Sequence, residues 1–67
     1  MIKICKTKND LYVATLLNQD KSVRASLNIP MTAKDLSYKL VHEFGEHQID
    51  VYDAFYLADP QKFSLKK

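Results

Sequence analysis

The sequence predicts an α+β fold: a three-stranded antiparallel meander packed against an amphipathic helix at about 32–44, followed by a second short helix at about 50–58. Three observations carry this reading. Residues 2–5 and 23–29 alternate apolar with other residues at the two-residue period of strands, on either side of a β-rich run at 11–17. The segment TAKDLSYKLVHEFG, 32–45, repeats its apolar residues at helical period. The polar connections between the strands are short, which makes neighbouring strands pair as antiparallel hairpins.

The first strand is short, with Ile2 and Ile4 alternating with Lys3 and Cys5. The polar segment KTKND follows, and Asn9-Asp10 supplies turn chemistry where no glycine is present. The run from 11 to 17 is apolar on both faces, with Leu11, Val13 and Leu17 on one and Tyr12, Ala14 and Leu16 on the other. Such a strand belongs at the centre of a sheet. The segment NQDK, 18–21, has hairpin length. Beyond it Val23, Ala25, Leu27 and Ile29 alternate with Arg24, Ser26 and Asn28, the pattern of a half-buried strand.

The first helix is predicted from its period and from its ends. At 100° per residue, Ala33, Leu36, Leu40, Val41 and Phe44 fall in one arc, interrupted only by Ser37. Thr32 stands at the N-cap position. Asp35, three residues on, suits a capping box and the positive end of the helix dipole. Pro30 disfavours an earlier start. Gly45, the only glycine, fits a left-handed position closing the helix.

The segment after Gly45 reads two ways. Asp50 and Asp53 suit the cap of a helix over 51–58 that buries Val51, Ala54, Phe55 and Ala58, with Pro60 ending it. The alternative is one or two further strands, whose faces are no cleaner. The helix is preferred for its acidic start and its alanines. In either form the segment holds more apolar surface than a small core absorbs. Residues 60–67 are expected to form a loosely ordered tail, with Phe63 and Leu65 spaced for an edge strand.

With 67 residues the chain makes one domain, and a domain of that size buries only about 60% of its unfolded surface. A content of 46% hydrophobic and 27% charged residues is that of a globular chain rather than a disordered one. No apolar run is long enough to span a bilayer, and no leader resembling a signal peptide is present, so the expectation is a cytoplasmic protein without membrane contact. One cysteine excludes an internal disulfide. The net charge is +2 and unevenly spread: +4 over residues 1–34, −5 over 35–59 and +3 in the tail. A dipolar chain steers charged partners to one end, but a total this small does not by itself argue for nucleic acid.

No motif supports catalysis or metal binding. In HEFGEH the histidines His42 and His47 are five residues apart rather than the four of a zinc-binding HExxH helix, and Gly45 breaks the helix between them. Two surface histidines at a helix end explain them better, and His42 also suits the negative end of the helix dipole. The serines lie in no glycine-flanked elbow, one glycine cannot build a phosphate loop, and Cys5 on a short strand reads as a packing residue. The expectation is a protein that is not an enzyme and carries no cofactor.

Two binding surfaces remain. The first is a protein interface on the acidic, aromatic C-terminal half: Ile49, Tyr52, Tyr56 and Leu57, with Tyr38 exposed on the first helix. It suits a regulator or inhibitor that covers another protein's surface, or a homodimer. Filling the gap between helix and sheet is the competing role for the same residues. The second surface is a nucleic-acid-binding sheet face built from Lys3, Tyr12, Arg24, Ser26 and Asn28. A plain solvated strand face would show the same residue types.

Overall fold

The computed structural model describes residues 1–63. Strands β1 (Ile2–Lys6), β2 (Tyr12–Leu17) and β3 (Val23–Met31) form an antiparallel sheet in the order β1-β2-β3, and helices α1 (Ala33–His42), α2 (Gln48–Ala58) and α3 (Pro60–Phe63) follow. The predicted α+β meander with two helices is the architecture found, and the strand alternative for the C-terminal segment does not apply.

Register decides which face is buried. Ile2 opposes Leu16, which opposes Ala25, and Ile4 opposes Ala14, which opposes Leu27. These rows face the helices, where Leu36 and Leu40 of α1 and Val51, Ala54 and Phe55 of α2 complete a single core. Tyr12 lies in the same rows, opposite Lys6 on one side and Met31 on the other, and it is fully buried. The intervening row of Lys3, Thr15 and Ser26 lies on the opposite face, which no helix among the described residues covers. Cys5 is exposed on that face rather than packed.

Turn chemistry follows from residues that tolerate left-handed backbone. Asn9 (φ 62°) and Asp10 (φ 59°) turn the chain between β1 and β2, closed by a 2.7 Å bond from the Thr7 N–H to the Leu11 carbonyl. In the second hairpin Lys21 N–H donates to Asn18 O and Lys21 itself takes φ 72°, which makes a tight turn followed by a left-handed residue. Asp20 Oδ1 accepts from both the N–H and the hydroxyl of Ser22, and this pair of bonds lowers its pKa.

Helix α1 is capped as its sequence predicts, Thr32 Oγ1 accepting from the Asp35 N–H at 3.2 Å. Gly45 adopts φ +71° after its end, and the Glu46 N–H returns to the Leu40 carbonyl. Helix α2 differs from the prediction at its start. It begins at Gln48 with His47 at the N-cap, so Asp50 sits in the first turn and Asp53 in the middle of the helix rather than at a cap. The first part of the expected tail is ordered differently too: residues 60–63 form the helical turn α3, and Phe63 packs on Tyr12 and Phe55 at ring-centroid distances of 5.8 and 5.1 Å. Leu65 lies outside the described residues.

Candidate protein-binding face on the second helix

Helix α2 carries apolar residues on both sides, and only one side is needed for the core. Val51, Ala54 and Phe55 point inward with Ala58 beside them. Ile49, Tyr56 and Leu57, spaced i, i+7 and i+8, return to the opposite side, where they are 64, 42 and 78% exposed. Asp53 falls between them on the same side, and Asp50 flanks it. Tyr52 stands at the edge of this stripe. It is half-buried because its hydroxyl donates to the Phe63 carbonyl, which ties α2 to α3 and makes the ring a wall rather than a free anchor.

Surface grooves run along both flanks of the helix. One, of about 320 Å³, lies between α1 and α2 over Ala33, Ser37, Val51, Phe55 and Phe63. It continues past Tyr38, whose ring lies 4.3 Å from that of His42, so this exposed tyrosine borders the groove instead of sitting on the α2 stripe. The other, of about 350 Å³, separates α2 from the start of β1. Met1, Ile2, Ala54 and Leu57 line it together with Glu46, Asp50 and Asp53.

The acidic residues of this half are not equivalent. Glu46 pairs with Arg24 at 2.8 Å, Glu43 with Lys39 at 2.9 Å, and Asp59 with Lys6 at 3.1 Å. Among the described residues Asp50 and Asp53 pair with no cation. Asp59 is the buried one. Its Oδ2 accepts from Lys6 Nζ and from the Tyr12 hydroxyl, each at 3.1 Å, and so pins the end of α2 to the sheet. The Lys6 bond, reinforced by the one from Tyr12, holds its carboxyl below the usual carboxylate range against the opposing effect of burial. The same bond to Asp59 raises Lys6, and burial raises Tyr12.

The proposed sheet-face set is not brought together. Tyr12 is in the core on the opposite side of the sheet, because its ring completes an aromatic cluster with Phe55 (5.2 Å, edge-on) and Phe63. Arg24 is displaced by a bulge: Leu16 pairs with Ala25 and Leu17 with Val23, so Arg24 opposes nothing and reaches toward the helices, to Glu46 and the Phe44 carbonyl. Lys3 and Ser26 do share the uncovered face through Thr15, and Asn28 follows two residues beyond Ser26, where the register shifts again. Lys3 is then the only cation of the set on that face.

His42 ends α1 and His47 stands at the N-cap position of α2 without a side-chain cap bond, with Glu46 engaged by Arg24 between them. Among the described residues no three His, Cys, Asp or Glu side chains gather as a metal site would require, and no helix is long and apolar enough to cross a membrane. Asp53 is the residue of the α2 stripe that sequence reasoning missed. Its spacing of four from Ile49 and from Leu57 held the signal, but its assignment as a cap hid it. No protein-family model, curated protein or solved structure matches the chain.

Proposed function

We propose that this chain is a small non-enzymatic binding protein that covers part of another protein's surface, as a regulator or inhibitor does, through the outer face of α2. The observation that carries this reading is the second apolar side of that helix. Ile49, Tyr56 and Leu57 stand exposed on an element whose core-facing side is already complete. A helix that is apolar all round is characteristically covered on every side, and a contiguous apolar patch rimmed by charge is the usual form of an interaction site.

The test places a photo-crosslinking residue at Leu57 or at Ser26 in the cells from which the chain comes. Discrete protein adducts from Leu57, absent from Ser26 and lost on Tyr56→Asp, are the expected result. Adducts from Ser26 alone, or salt-sensitive binding of duplex DNA abolished by Lys3→Glu, would transfer the function to the sheet face and overturn the proposal.

A further inference from the structure

Resting on that reading, the geometry points to a partner of one chemistry: we infer that the outer face of α2 receives a basic amphipathic helix of another protein. Its apolar residues would lie on Ile49, Tyr56 and Leu57, and a lysine or arginine would reach Asp50 and Asp53.

The helix form follows from what α2 can offer. Its backbone groups are satisfied internally, so a partner cannot add as a strand. What it presents is a stripe of side chains at i, i+7 and i+8, about 12 Å long at 1.5 Å per residue, flanked by a groove on each side. Apolar ridges of that spacing are met by the ridges of a second helix.

The basic character follows from charge. Asp53 interrupts the stripe between Ile49 and Leu57, and Asp50 lies beside it; neither has a cation among the described residues. An apolar partner surface would desolvate these carboxylates without compensation. The groove between α2 and β1 resolves this. Met1, Ile2, Ala54 and Leu57 give it apolar walls for the aliphatic stem of a lysine or arginine, and the two aspartates stand where the charged head would emerge. Glu46, on the same groove, is already held by Arg24, and the Met1 ammonium donates to the Leu17 carbonyl.

The same aspartate argues against a second copy of this chain. In a two-fold antiparallel pairing centred on the stripe, Ile49 meets the other copy's Leu57, and Asp53, midway between them, meets its own counterpart. Two carboxylates would then oppose each other on the symmetry axis with no cation supplied by either stripe.

Two synthetic amphipathic helical peptides with identical leucine positions, one with lysine and one with glutamate on its polar side, provide the probe. They are titrated into the isotope-labelled protein, and amide shifts are followed. The lysine peptide is expected to shift α2 and the β1 side of its groove, to bind at least roughly tenfold tighter than the glutamate peptide at low salt, and to lose that advantage as salt is raised. Asp53→Asn should shrink the preference and Asp50→Lys with Asp53→Lys should invert it, with the remaining amide spectrum confirming the fold. Equal affinity for the two peptides, shifts confined to the sheet, or no binding of either overturns the inference. So does a dimer in sedimentation that Tyr56→Asp abolishes. If Leu57 crosslinks persist while the peptides show no charge preference, the binding face stands and the partner's assigned chemistry falls. If the crosslinks are absent, the parent proposal has failed instead.

Discussion

Asp59 illustrates how one side chain joins layers that the sequence keeps 47 residues apart, since its carboxylate binds both Lys6 of β1 and Tyr12 of β2. Because its pKa is lowered in the folded state, its stabilising contribution is present above the ordinary carboxylate value near 4 and is lost as pH falls through the depressed one. Lys6, raised, contributes below its ordinary value of 10.5 and loses that contribution as pH rises beyond it. Denaturant titrations should therefore show Asp59→Asn less stable than the natural chain at pH 7, with the gap closing below pH 4; a gap independent of pH would contradict the role of the ionised pair. Tyr12→Phe removes only a hydroxyl and should cost about 1 kcal/mol. Gly45 isolates a different effect. No atom lies within 4 Å of where its Cβ would stand, yet its φ is +71°. Gly45→Ala should lose about 1 kcal/mol through backbone strain alone, with Asn at the same position losing less.

At the scale of the element, α2 separates stability from binding on one cylinder. Phe55 is 3% exposed at the centre of the aromatic cluster, so Phe55→Ala should cost about 3–5 kcal/mol and threaten folding in a chain this small. Leu57, two residues on, is 78% exposed, and Leu57→Ala should stay within about 0.5 kcal/mol of the natural chain. Thermal and denaturant unfolding of the two variants measures this directly. A Leu57→Ala loss comparable to that of Phe55→Ala would mean that the outer face serves the fold. Helix α1 has no such division: its buried Leu36 and Leu40 face the sheet, and its outer side is polar apart from Tyr38. Its Thr32 cap is worth about 1 kcal/mol to Thr32→Ala.

The whole molecule is two layers around a single core, with both long helices on one side of the sheet and the other side left uncovered by the described residues. Its Cα radius of gyration of 11.3 Å is close to the roughly 11 Å expected of a compact chain of this length. Because every element contributes to one core, the chain is expected to unfold as a single unit. Tyrosine fluorescence, whose change on unfolding comes chiefly from Tyr12 and Tyr52 because Tyr38 and Tyr56 are already exposed, and far-ultraviolet dichroism, which reports helix and sheet, should give coincident transitions. Separate midpoints would show that α2 and α3 dock as a weaker unit. The charge asymmetry persists at this scale in reduced form, because Lys6, Arg24 and Lys39 cancel Asp59, Glu46 and Glu43, which among the described residues leaves Asp35 at the start of α1 and the neighbouring Asp50 and Asp53 on α2 without a cation.

The strands and α1 are legible in the sequence because each is dictated locally: strands by alternation and turn residues, α1 by its apolar arc, Thr32 and Gly45; α2 is one of two readings of its segment, and the turn α3 falls where the sequence suggests a loose tail. The central place of β2 was legible too, since a strand apolar on both faces is costly at an edge. Which face of that strand met the helices was not. Tyr12 with Ala14 and Leu16, or Val13 with Leu17, are comparable apolar sets, and only the register with Ile2, Ile4 and the helix layer chose between them. Arg24 departs from the alternation of its strand for a related reason. A bulge leaves no mark in an alternating pattern, yet one extra residue turns the side chain to the other face. Helix α2 was ambiguous because its apolar residues encircle it, so no period singled out an inner face. The aspartates, read as caps, became side-chain groups of the outer stripe once His47 took the N-cap. That the second helix has apolar surface to spare follows from its residues alone. Only the packing of Val51, Ala54 and Phe55 against the sheet decided that Ile49, Tyr56 and Leu57 would be the residues left outside, because a helix can bury just one side against a two-layer core.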